Sequence, residues 1–144
     1  MEDANGEGKM AGQLLRMPWA MSSAVAARRA MVSELRSLGV NATVVDESEI
    51  VLSELVANAV RHATPLSDGT IHVSWSVRAA VVEIEVTDGG GPTTPHPAPR
   101  SQWSAGGRGL RIVGSLAHAW GVRENRTGST VWASMAGPSP HHGP

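Results

Sequence analysis

Four polar residues in one helical segment have the types and spacing to handle a charged, oxygen-rich ligand. They are Glu54, Asn58, Arg61 and His62, within ELVANAVRH at 54–62. With Glu54 at zero on a helical wheel, Asn58 falls near about 40°, His62 near about 80° and Arg61 near about −20°. Leu52, Val56, Ala59 and Ala63 fall on the opposite side. The stripe offers a carboxylate, an amide oxygen and cationic or proton-donating groups. Magnesium takes such oxygen ligands and completes its octahedron with water and phosphate. Taken alone, the same stripe is what an ordinary amphipathic helix shows to water.

A second signal lies at 81–88. Val82, Ile84 and Val86 alternate with Glu83, Glu85 and Thr87, and continuing the alternation puts Asp88 on the apolar side. A carboxylate there is costly without a partner. Either the strand stops at Thr87 and Asp88 opens the turn, or Asp88 is a recognition acid at the wall of an apolar pocket. The exocyclic amine of adenine is a suitable donor to such an acid. Gly89-Gly90-Gly91 directly follows, and glycines let a flat base approach the backbone.

The third signal is Gly107-Arg108-Gly109-Leu110, where a helix begins. Helix N-termini present unpaired N–H groups and a positive dipole end to phosphates. As a dinucleotide fingerprint the segment fails, because Ile112 stands where a third glycine belongs. A phosphate loop ending in Gly-Lys-Ser/Thr is absent too: the one lysine, Lys9, lies in Gly8-Lys9-Met10. Any nucleotide site here must manage without lysine.

The elements that position these residues follow from periodicity and turn signals. A strand is expected at 11–17, then a helix opened by Pro18 and ended by Gly39 after Leu38. A second helix runs from Asp46 to about Ala63, with Asp46 and Glu49 spaced as a capping box and Pro65 as the stop. Strands at 70–77 and 81–87 form a hairpin through Arg78-Ala79-Ala80. After a glycine- and proline-rich segment come a helix at 108–118, which carries a structural His118, and strands near 119–125 and 129–136. The order β, α, α, β, β, α, β, β predicts an α+β fold. Residues 1–10 read as a disordered leader, 89–107 as a lid and 137–144 as a disordered tail, leaving one domain over 11–136.

Bulk composition removes several functions. Twelve basic and thirteen acidic residues leave a net charge of −1, without the cationic surplus that drives nucleic-acid binding. Cysteine is absent, which removes disulfides, thiolate metal sites and cysteine nucleophiles and fits a cytoplasmic address. The N-terminus has no apolar signal-peptide core, and no apolar run is long enough for a bilayer span, so no membrane role is expected.

Together the three signals resemble the GHKL ATPase superfamily and its Bergerat ATP-binding fold. Glu54 to His62 looks like the N box, Val86 to Gly90 like the first glycine box and Gly107 to Val113 like the second. Gly128-Ser129-Thr130-Val131 looks like the closing strand segment, whose threonine assists at the adenine. The resemblance implies a two-layer α/β sandwich with a mixed, mainly antiparallel sheet and helices on one face. It implies ATP and Mg2+ as ligands, with Glu54 as general base, Asn58 as magnesium ligand and Asp88 as adenine-specificity acid. Gly90 would line the adenine, with Thr130 assisting. Gly107, Arg108, Gly109 and Leu110 would meet the phosphates, with Arg61 and His62 completing the binding stripe. Within the superfamily the chain resembles the anti-sigma factor serine/threonine kinases of the SpoIIAB and RsbW type. That likeness implies a sigma factor and an anti-anti-sigma (STAS-type) protein as partners, and a homodimer that the sequence itself does not show. Pro92 departs from the usual Asp-x-Gly-x-Gly pattern, which leaves a non-catalytic, ATP-dependent interaction switch as the alternative.

Overall fold

Alternating side chains let one face of a sheet dry out while the other stays wet. The two strands of the central hairpin, β2 (Thr70–Arg78) and β3 (Val81–Asp88), do this: Ile71, Val73, Trp75, Val82, Ile84 and Val86 are all buried. The computed structural model describes residues 10–90 and 108–135. The remaining elements are β1 (Met10–Pro18), α1 (Ser22–Ser37), α2 (Ala42–His62), α3 (Arg108–Leu116), β4 (Ala119–Asn125) and β5 (Gly128–Met135). The strands form one sheet in the order β1-β2-β3-β5-β4. Each of its four pairings is antiparallel. The result is the expected two-layer α+β sandwich, and none of the described pairings is parallel.

The core lies between the sheet and the helices. Val44, Val45, Ser48, Val51, Leu52, Leu55, Val56 and Ala59 make the buried stripe of α2, at the three- and four-residue spacing of a core-facing helix. Ala27, Met31 and Leu35 do the same for α1. The Trp75 indole N–H donates to Glu34 Oε1 at 2.7 Å, which ties β2 to α1.

Three boundaries differ from the sequence expectation. Pro18 closes β1 opposite Thr70 instead of opening a helix; at the end of an edge strand its missing N–H costs nothing. α1 then starts at Ser22, and the Ser23 hydroxyl donates back to the Pro18 carbonyl at 2.6 Å. α2 begins four residues before Asp46. Its N-cap is Asn41, whose Oδ1 accepts from the Thr43 and Val44 amides at 2.8 and 3.3 Å. Asp46 is therefore interior and exposed, and Glu49 pairs with Arg28 of α1 at 3.4 Å. His118 lies beyond α3, exposed, with its amide on the Ser134 carbonyl. Gly39 does end α1: at φ +76 it sets a Schellman turn, with Val40 N–H on Leu35 O and Gly39 N–H on Arg36 O.

The leader up to residue 9, the segment 91–107 and the tail 137–144 lie outside the described residues, while Met10 belongs to β1. Among the described residues, no helix is long and apolar enough to cross a membrane.

Candidate nucleotide site

The site forms where the C-terminal end of β3 meets α2. Asp88 is the last residue of β3 and stays in register with Ser129, so the strand does not stop at Thr87. It is only 5% exposed and lies on the helix-facing side of the sheet. Burial pushes its carboxyl up from 3.8 to about 6, helped by the negative charge of Glu124 and opposed by a hydrogen bond from the Gly90 amide. That amide donates to Asp88 Oδ1 at 2.7 Å. Gly90 has φ +94, and a Cβ there would meet none of the described residues within 4 Å. A flat ligand can approach this stretch of backbone while the carboxylate accepts its amine.

The polar stripe of α2 divides on folding. Asn58 is buried, at 7% exposure, so this face is not simply wet. Glu54, one turn earlier, is half-buried. Arg61 and His62 are exposed in the last turn of the helix, where positive charge suits the dipole and where they stand outside the buried wall. Among the described residues no cluster of three or more His, Cys, Asp or Glu could hold a metal by itself. An amide oxygen on Asn58 fits a magnesium ion that arrives with phosphate and water ligands.

α3 packs against α2. Gly107 lies outside the described residues. Arg108 and Gly109 open the helix, where the first N–H groups have no intrahelical acceptor. Leu110 is 3% exposed and belongs to the core, so only its backbone amide is available to a phosphate.

One expected residue moves. Thr130 pairs with Thr87, and their hydroxyls meet at 2.7 Å. Successive strand residues face opposite ways, so Thr130 lies on the sheet face away from Asp88 and the helices. Of Ser129 and Thr130, Ser129 is the residue on the Asp88 face. It is 4% exposed and sits across from Asp88, and among the described residues its hydroxyl has no hydrogen-bond partner. Glu124 is next in that row, across from Ser129 on β4. Thr64 is a second residue that sequence reasoning missed: its amide and hydroxyl both reach the Gly90 carbonyl.

A buried acid, a glycine turn beside it and a helix with a buried amide come together at one end of the sheet. A family model described as the histidine kinase-like ATPase domain matches residues 18–135. The chain belongs to this family and is an ATP-binding domain. No curated protein matches it. Among solved structures, it is similar to the RsbU and RsbW domains of Rv1364c from Mycobacterium tuberculosis, with a TM-score of 0.65 and 19% identity. The match covers 88% of this chain and 32% of that one. At that identity the likeness concerns the fold.

Proposed function

We propose that this chain is a cytoplasmic ATP-binding regulator of the anti-sigma kind, with serine/threonine kinase activity toward an anti-anti-sigma (STAS-type) protein. The observation that carries the nucleotide half is Asp88, buried beside the open Gly90 turn at the end of β3. The family match supports ATP as the ligand. The fold shared with a structure that contains an RsbW domain supports the regulatory half.

In this reading Asp88 accepts the adenine amine and Ser129 adds a hydroxyl beside it. The first amides of α3 hold the phosphates, together with Arg108 and Gly107. Glu54 accepts the proton of the substrate hydroxyl while its oxygen bonds to the γ-phosphorus and the bond to the bridging oxygen breaks, releasing ADP. Asn58 would hold Mg2+, which supplies neutralisation of phosphate charge. A phosphate added to the partner brings about −2 charges at neutral pH, enough to reshape a protein interface.

The test is labelled-phosphate transfer from ATP to partners captured from the native lysate, with wild type and Glu54→Ala compared. Loss of transfer with ATP binding retained is the expected result. Equal transfer by both proteins rejects Glu54 as the base. ATP binding without transfer by wild type selects the non-catalytic switch, the reading that Pro92 in the sequence favours.

A further inference from the structure

The turn beside Asp88 is held from outside its own strand. α2 ends at His62, and Ala63 is already extended, with φ −118 and ψ −163. Pro65 drives the residue before it out of the helical region, so Thr64 runs alongside residues 89–90. Three hydrogen bonds join the two segments. The Thr64 amide donates to the Gly90 carbonyl at 3.0 Å, the Thr64 hydroxyl donates to the same oxygen at 2.7 Å, and the Gly89 amide donates to the Thr64 carbonyl at 2.8 Å. The approach is tight enough that a Cβ on Gly89 would strike the Pro65 carbonyl. Around Gly90, by contrast, no described residue comes close enough to define its left-handed conformation sterically.

Any residue but proline at 64 would supply the two backbone hydrogen bonds. The hydroxyl bond is particular to threonine or serine, and it lands on the residue whose own amide donates to Asp88 Oδ1. Among the described residues none donates to the other oxygen, Oδ2. We infer that Thr64 is a positioning residue for the base: by gripping the Gly90 carbonyl it keeps the Gly90 amide on Asp88 Oδ1 and leaves Oδ2 for the ligand amine. The inference rests on the reading of Asp88 as the base acceptor. Asp88 is also influenced by Glu124 of β4, which opposes its ionisation, whereas the Gly90 amide favours it.

The test measures ATP and adenosine affinity of the full chain by calorimetry between pH 5 and 8, for wild type, Thr64→Val and Thr64→Ser. Valine keeps the shape and both backbone bonds and removes only the hydroxyl. T64V should bind both ligands about 3- to 10-fold more weakly, the range for one lost hydrogen bond. Its loss of affinity in acid should begin at higher pH, because a loosened Gly90 amide no longer favours the Asp88 carboxylate. T64S should behave as wild type. Wild-type affinity in T64V, or weaker binding with the acid limb unmoved, overturns the inference. Should T64V not fold, Thr64→Ala is read by the same two criteria. A wild-type protein that binds neither ATP nor adenosine overturns the nucleotide reading itself, a different result from a T64V that matches a binding wild type.

Discussion

Ser129 stands directly across the β3–β5 ladder from Asp88, and both side chains are buried on the side of the sheet that faces the helices. The neighbouring pair, Thr87 and Thr130, points the other way and closes on itself through its hydroxyls. These two pairs make separable predictions. Ser129→Ala should weaken ATP binding about 3- to 10-fold, as for one lost hydrogen bond, with little change in melting temperature. Thr130→Ala should lower stability by about 1 kcal/mol through the lost hydroxyl pair and leave ATP affinity unchanged. Calorimetric titration and thermal unfolding of both variants check this. The reverse pattern would place the hydroxyl that serves the nucleotide on the wrong face.

Asp88 gives the site a pH dependence whose sign differs for folding and for binding. Its carboxyl titrates near about 6 in the folded chain against 3.8 ordinarily, chiefly through burial. The folded state therefore binds the proton more tightly than the unfolded state does. The stability this contributes is full below 3.8 and is lost as pH rises through about 6. In the proposed reading the amine of adenine needs the opposite form, the carboxylate. ATP affinity should accordingly fall about tenfold per pH unit below about 6. Asp88→Asn should abolish the acid-side stability gain and most of the ATP binding together. Denaturant midpoints and affinities from pH 4.5 to 8 measure both limbs.

The legible part of this protein was the part written in local periodicity. Alternation at 70–77 and 81–87 marked the buried hairpin and placed Asp88 on its dry face, because a strand's two faces differ in every other residue. The stripe at Glu54 and Asn58 was legible for the same reason at helical period. Two of the misses depended on partners distant in sequence. The choice between Ser129 and Thr130 is a matter of register against β3, 41 positions away for the Asp88–Ser129 pair. Thr64 carried a local sign, the proline after it, but its acceptor is Gly90, 26 positions on. The start of α2 was misjudged because Asp46 and Glu49 have the spacing of a capping box, while Asn41 has the better-placed oxygen.

Gly89 and Gly128 are tested by a different physics from Gly90. A Cβ on Gly89 would run into the Pro65 carbonyl, and one on Gly128 into the Asp88 carbonyl. Backbone atoms cannot swing aside as side chains do, so Gly89→Ala and Gly128→Ala must displace a strand end. Each should cost about 1–3 kcal/mol, the usual penalty of overpacking, and should weaken ATP binding because the displaced backbone carries or adjoins Asp88. Gly69→Ala serves as comparison. It has φ +81 and no described residue within 4 Å of a Cβ built there, so it should cost about 1 kcal/mol through the backbone alone and leave affinity intact. Urea unfolding and ATP titration of the three variants distinguish steric from conformational cost.

The β2–β3 hairpin turns through Ala79 and Ala80, whose φ values are +50 and +67. Two consecutive left-handed residues are what a two-residue hairpin requires to match strand twist, and Asn-Gly is the sequence that adopts this conformation without strain. Alanine in this region costs about 1–2 kcal/mol per residue, because its Cβ crowds the following carbonyl. The turn is exposed and lies at the opposite end of β3 from Asp88, about 23 Å away by strand rise. Ala79→Asn with Ala80→Gly should therefore stabilise the fold by about 1–2 kcal/mol, the relief at the turn being offset in part by the greater freedom of glycine in the unfolded chain. ATP affinity should not change, because among the described residues none of the proposed site lies at this end of the hairpin. Thermal unfolding with and without ATP reads both quantities from one preparation. A higher melting temperature with an unchanged ATP-induced increment is the expected result, and a melting temperature that fails to rise would show that the alanine turn is not strained.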